Sequence, residues 1–427
     1  MCRIFMVLLM MAQPLWAAKI EFWHSMSGPH GQVLKEVVSD FNELPENKGK
    51  WFVQEQFVGT YEEGLNKLRT SLLAKRGPHV AQVTDIGTQV MIDSATIVPL
   101  QIHIDKDPGF PAKELLLPIR RYYEIKGTLY SLPFATSNPI IYYNADWFKK
   151  AGIQSPPKTF AEFADVCRKL TNKEQKLTGV TWPLHSWFFE QFIARQGGVF
   201  ANNDNGRKGR ATELNFLGPE ATEFVNLWVT LVKAGSFANV GRGWDPAEAN
   251  FMSGRSAMLI TSTSDVFILA KKATFKIATA PLPTKDPKVA GGTIVGGNSL
   301  WLLKNKPAEE EAASYRFLKY MASKPAQRKW HTNTGYFPIR GDLIADLERE
   351  GFYQKNPSAK TAIDQMRASA DIPATWGALL GVFPETREAF ENAMEQILAG
   401  RADAPTALKK AKLQAEQALI RYNKGRS

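Results

Sequence analysis

A chain of 427 residues, 44% hydrophobic and 22% charged, is globular and too long for one compact core, so two lobes are expected. Its formal charge of +11 suits an anionic small molecule, a membrane surface or nucleic acid. The 53 Lys and Arg are scattered, without basic blocks or an aromatic RNA-binding signature, which sets nucleic acid aside and leaves a small anion.

In chain order, the first eighteen residues, MCRIFMVLLMMAQPLWAA, stand apart. Arg3 leads an apolar run from Ile4 to Ala12 that exits through Ala17 and Ala18, the outline of a signal peptide cleaved near Ala18. The run is short for a membrane anchor. Its removal leaves Cys167 alone, so the exported chain forms no internal disulfide and depends on its core.

The segment KIEFWHS reads as a short strand, and GPHGQVLKEVVSDFN as an amphipathic helix with Val33, Val37 and Phe41 on one face. WFVQEQFV (strand), YEEGLNKLRTSLLAKRG (helix) and HVAQVTDIG (strand) continue the alternation. Such alternation predicts α/β architecture, a parallel sheet covered by helices on both faces. GTLYSLPFATSNPIIYYNADWFKKAG carries a strand through Pro133 and Pro139, the stiff extended link that a crossing between lobes needs. SPPKTFAEFADVCRKL then opens a helix. SAMLITSTSDVFILAKK reads as a strand returning to the first lobe, with a hydroxyl-rich corner at Thr261 to Ser264. The tail from about Ser323 is mostly helical, with Gly400 as a cap after EAFENAMEQILAG. The expected division is residues 19–134 with 265–323 in one lobe and 135–264 with 324–427 in the other.

The stretch GGTIVGGNSLWLL, Gly291 to Leu303, is buried strand material interrupted by Gly296, Gly297, Asn298 and Ser299. The glycines mark a bulge or tight turn, or a place where a ligand must approach the bare backbone. Catalytic signatures are missing. The six histidines have no HExxH or cysteine partner, and there is no GxSxG elbow, Walker loop or GxGxxG after a strand. A cofactor, a metal and an enzymatic role are therefore not expected.

The pieces FWHSMSG, GTYEEGL, QVTDIGTQVM, LPFATSNPIIYYN, IVGGNSLW, HTNTGYFPI and GVFPETRE span residues 21 to 388. Together they resemble the large extracellular solute-binding proteins of ABC transporters, most closely the glycerol-3-phosphate- and glycerophosphodiester-binding branch. The resemblance implies a two-lobe periplasmic binding protein fold of type II, like maltose-binding protein, with the ligand between the lobes. It also implies partners, an inner-membrane ABC permease and its ATPase, and a monomeric state. By position it assigns the ligand to Tyr61, Asp85, Ser137, Ser262, the Gly296–Gly297 backbone, Tyr336 and Arg387. The stretch GVTWPLHSWFFEQF does not align cleanly with the family's paired tryptophans, so Trp182 and Trp187 are candidates that either line the cleft or pack in it.

Each assignment has a chemical reason. Arg387 offers phosphate oxygens a planar, always-charged fork. The hydroxyls of Ser137, Ser262, Tyr61 and Tyr336 add neutral donors, and bare amides near Gly297 admit an anion or a glycerol oxygen. Ionised Asp85 only accepts, so it should face glycerol hydroxyls. Judged alone, Asp85 would cap a helix, Tyr336 would pack, and Arg387 would lie on the surface. Asp85 replaces the Glu of the branch's glycerol-3-phosphate binders, leaving more room, which with nearby aromatics also suits glycerophosphocholine. Two rivals are an oligosaccharide-binding protein, which needs stacked aromatics and no Arg387, and an exported glycerophosphodiester hydrolase, which needs a metal set or nucleophile.

Overall fold

A computed structural model describes residues 18–426. The expected signal peptide lies outside the described residues, apart from Ala18, which opens the first strand. That strand, β1 (Ala18–His24), pairs in parallel with β2 (Trp51–Phe57) and β3 (Val80–Thr84). Between them runs the helix Gly28–Asn42, started by Pro29 and burying Leu34, Val37, Val38 and Phe41 against the sheet. A short strand β4 (Ile97–Val98) and a hairpin of β5 (Glu124–Ile125) and β6 (Thr128–Leu129) follow.

Strand β7 (Leu132–Ser137) ends the first lobe's opening run, and β8 (Pro139–Asn144) begins a second sheet after only Asn138. The second sheet adds β9 (Thr178–Thr181), β10 (Phe237–Ala238), β11 (Ser256–Ser262) and β12 (Ile277–Ala280), in the order β10-β9-β11-β8-β12. The chain then returns, and β13 (Gly296–Leu303) enters the first sheet between β3 and the strands β4 and β7, giving β2-β1-β3-β13-β4. β13 runs antiparallel to β3, β4 and β7, and β8 runs antiparallel to β11 and β12. The all-parallel expectation is thus corrected to two mixed sheets. The reason is that the sheet-switching strands enter head-on from the other lobe and are not delivered by a local helix crossover.

Sheet membership also draws the lobe boundaries differently from the expectation. β12 belongs to the second sheet, because Ala278 and Thr279 pair with Tyr143 and Tyr142. The helix Lys324–Thr334 belongs with the first lobe: Trp330 stacks on Phe134 of β7, and both share a core with Phe22 and Phe41. Helices Phe383–Leu398 and Ala404–Asn423 lie on the second core, beside Phe216 and Phe189.

Asn138 ties three crossings together. Its amide donates to Thr263 Oγ1 at 3.3 Å, its carbonyl accepts from Thr263 N at 2.9 Å, and its Nδ2 donates to Thr293 Oγ1 at 2.7 Å. Gln365 Nε2 completes the set at Asn138 Oδ1, 3.0 Å. A buried amide so fully satisfied fixes where the strands change sheets. Among the described residues no helix is long and apolar enough to cross a membrane.

Candidate functional site

A cavity of about 450 Å³ opens between the lobes. One wall carries Glu62, Thr84 and Ile86, from the ends of β3 and of the helix Tyr61–Leu73; the other carries His185, Arg242, Arg387 and Glu391. The first wall is set by a capping box. Thr60 Oγ1 accepts from Glu63 N at 3.3 Å, and Glu63 Oε2 accepts from Thr60 N at 2.8 Å, so Tyr61 is held as the first residue of its helix. Tyr61 accepts at its hydroxyl from Asn298 Nδ2 at 3.1 Å and exchanges a hydrogen bond with Tyr336.

Tyr336 owes its position to the residue before it. Gly335, at φ 87°, ends the helix Lys324–Thr334 in the left-handed conformation and turns the chain back. The Tyr336 ring then stacks on Trp330, with centroids 5.4 Å apart, and its hydroxyl meets Ser264 as well as Tyr61. Ser262 does something different from its expected role: its Oγ accepts from Ser264 N at 3.1 Å and contacts Ser264 Oγ at 2.8 Å, capping the turn Thr263–Asp265. The hydroxyl beside Tyr336 belongs to Ser264, two residues on.

The interrupted strand resolves into a bulge. Gly296 faces Ser137 and Gly297 faces Thr136 across the β13–β7 ladder, and the register shifts between Gly297 and Ser299. Gly297 stands at φ 107°, and a Cβ there would lie 1.9 Å from the Ala135 carbonyl oxygen. The position therefore demands glycine for backbone reasons, whatever lies beside it. Gly296 is bare for another reason: its Cβ would lie 2.6 Å from the Trp187 indole nitrogen. Trp187 is placed there by His185, whose Nδ1 accepts from Trp187 N at 3.1 Å at the start of the helix Ser186–Arg195, and it packs beside Trp244 at 5.8 Å. Ser137 ends β7 buried, opposite Gly296.

Arg387 sits on the first turns of the helix Phe383–Leu398, with its guanidinium 5.2 Å from the Phe383 ring centroid. Its side chain is 12% exposed, and Nε and Nη2 donate to the two oxygens of Glu190 at 2.7 and 2.9 Å. Burial disfavours the guanidinium charge, but Glu190 and then Asp85 outweigh it and raise the pKa further. Burial also pushes the carboxyls of Glu190 and Asp85 up, opposed chiefly in both cases by the charge of Arg387. Asp85 Oδ1 accepts from Thr84 Oγ1 at 2.8 Å and Ile86 N at 2.9 Å. Asp85 therefore belongs to the arginine's charge neighbourhood, where the sequence placed it only among hydroxyls. His185 is held neutral, its pKa lowered to about 3 by burial and by Arg387 and Arg242.

Trp182 is not a cleft residue. It is fully buried in the second lobe, edge-on to Phe237 at 4.5 Å and tilted against Trp228 at 5.1 Å. Trp182→Ala is expected to cost about 3–5 kcal/mol of stability and leave ligand affinity unchanged, read by denaturant unfolding beside calorimetry. Lost affinity at unchanged stability would return Trp182 to the site. Residues that sequence reasoning missed are Glu190, Asn298, Thr136, Tyr123 and Trp244. Three buried polar atoms there, Asn298 Oδ1, Thr136 Oγ1 and the Tyr123 hydroxyl, make no hydrogen bond among the described residues. Asn298 and Thr136 flank the Gly297 bulge, and Tyr123 lies within reach of the charge of Asp85. Buried donors and acceptors without a partner are the complement of a hydroxyl-bearing ligand. Among the described residues no group of three or more His, Cys, Asp or Glu is placed to hold a metal.

Two mixed α/β lobes joined by several strand crossings over a polar cleft are the architecture of a bivalve binding protein. Residues 36–361 match the model of the bacterial extracellular solute-binding protein family, and the chain belongs to that family. It is 33% identical over 416 residues to the sn-glycerol-3-phosphate-binding periplasmic protein UgpB of Escherichia coli (strain K12), covering 95% of this chain and 93% of that one. The UgpB of Salmonella typhimurium is 32% identical over 423 residues, 96% of this chain and 95% of the other. The fold is similar to the crystal structure of UgpB from Mycobacterium tuberculosis in complex with glycerophosphocholine. That match has a TM-score of 0.81 at 21% identity, over 95% of this chain and 99% of that one. It is also similar to the sugar-binding protein MalE of Xanthomonas citri, with a TM-score of 0.78 at 19% identity, over 95% of this chain and 98% of that one.

Proposed function

We propose that this chain is the periplasmic substrate-binding component of an ABC importer, a monomer that captures glycerol-3-phosphate or a glycerophosphodiester and presents it to a membrane permease and its ATPase. The carrying observation is Arg387, a largely buried guanidinium in the wall of an interlobe cavity whose other wall carries Asn66, Arg69 and Thr84. The fork would take the phosphate. Tyr61, Tyr336, Ser137 and the unsatisfied groups of Asn298 and Thr136 would take the glycerol. The chain performs no catalysis. The lobes close about the crossings tied by Asn138, and recognition with closure is the whole mechanism. The sequence similarity to the glycerol-3-phosphate-binding proteins supports this reading.

Calorimetric titration with a chelator present tests it. Micromolar or tighter binding of glycerol-3-phosphate or glycerophosphocholine is expected. If neither binds while maltose or maltotriose does, the phosphate reading is wrong and the oligosaccharide one replaces it. The Trp187–Trp244 pair is the observation that would then matter, as an aromatic platform for sugar rings.

A further inference from the structure

Arg387 does not wait for its ligand with an open fork. Glu190, 5% exposed, already binds two of its donors, and Asp85, also 5% exposed, adds a second carboxylate near enough for its charge to act on both. Other charges facing the pair change little. His185 is neutral, the Tyr122 phenol stays protonated, and Arg242 is spent on Glu391 and Glu395, at 3.3 and 2.8 Å. A guanidinium has five N–H donors, so Nη1 and part of Nη2 remain for an anion. An anion that reaches Arg387 thus meets a largely buried positive charge already flanked by two carboxylates.

We infer that Glu190 is a specificity-determining residue: held against Arg387, it favours a singly charged phosphodiester over a doubly charged phosphomonoester. This rests on the reading that the cleft takes a glycerol phosphate ester. A phosphomonoester loses its second proton near pH 6 and is mostly a dianion above neutrality, whereas a diester carries one charge on two free oxygens at any physiological pH. The second charge of the monoester would sit beside Glu190 and Asp85, and like charges at close range oppose each other strongly. The other cations of the cavity wall are the exposed Arg69 and the half-buried Arg242, the latter held by Glu391 and Glu395. The two free oxygens of a diester, by contrast, need no more donors than Glu190 leaves on the fork.

The test is calorimetry on the mature chain with glycerol-3-phosphate and with glycerophosphoglycerol, a diester whose second arm carries no cation to confuse the comparison. At about pH 7.5 the diester is expected to bind at least about tenfold more tightly, the effect of one pKa unit of like-charge coupling. At about pH 5.5 the gap should narrow, because the monoester regains a proton. Glu190→Gln should close most of the gap at about pH 7.5 by strengthening the monoester. Equal or tighter monoester binding by the unaltered protein at the higher pH overturns the inference, as does a gap that Glu190→Gln leaves intact. If Glu190→Gln fails to fold, the pH comparison on the unaltered protein decides alone, and a pH-independent gap overturns it. Binding of neither ester refutes the glycerol phosphate reading itself, a different outcome from binding both in the wrong order.

Discussion

Arg387→Ala is expected to abolish binding of the glycerol phosphate ligand and also to destabilise the protein by about 3–5 kcal/mol, the cost of leaving a buried carboxylate without its partner. Glu190 would keep only the Ser186 hydroxyl, at 3.3 Å, while remaining buried. Arg387→Lys separates the two effects. A lysine ammonium restores a positive charge for Glu190 but not the two-pronged geometry, so stability should recover further than affinity. Thermal unfolding and calorimetry on both variants give the result. An alanine variant that melts and binds like the unaltered protein would remove Arg387 from both roles.

Gly297→Val is expected to be the more damaging change to the fold. At φ 107° an L side chain is strained, and its Cβ would overlap the Ala135 carbonyl oxygen at 1.9 Å. Strain and overpacking together should cost about 3 kcal/mol or more, enough to lower the yield of folded protein or prevent folding. The smaller Gly297→Ala meets the same oxygen and should be destabilising too. The glycine is thus explained by the bulge without reference to a ligand. If Gly297→Val retains the native melting temperature and loses only affinity, the backbone account fails and the ligand-wall account returns.

The alternation of strand and helix was legible because each element carries its own period: Leu34, Val37 and Phe41 declare a helix wherever they are read. Strand direction was not legible. Nothing local in IIYYN or in SLWLL states that β8 and β13 run against their neighbours, since that follows from where the chain crosses between lobes. The site divides in the same way. Tyr61 follows the Thr60 of a capping box and Tyr336 a glycine turn, both of which the sequence spells out. Judged alone, however, Tyr336 would pack and Arg387 would lie on the surface, so only the resemblance pointed these two at a ligand. Glu190 could not be read, because its meaning lies in a partner 197 residues away, and in sequence it is one acid in an aromatic helix. A hydroxyl-rich corner states that a cap exists without saying which residue forms it, and here Ser262 forms it while Ser264 meets Tyr336. The glycine pair was visible as an interruption, but only the neighbouring backbone of Ala135 tells which of its two explanations applies.

The place of β13 has a consequence for how the chain comes to be folded. It is an interior strand of the first sheet, yet it is made from residues 296–303, long after β1, β2, β3 and β7 and after every strand of the other sheet. Until it arrives, β3 has one ladder unpaired, and Val80 and Val83 lack the neighbours that later cover them. An open edge of that kind cannot be a finished unit. The loop that must close to complete it makes folding slow, because distant contacts yield nothing until their ends meet. The first lobe, though it begins the chain, is therefore among the last parts to become stable. Until residues 296–303 have been made, the β3 edge stays open to any factor that binds unpaired strand.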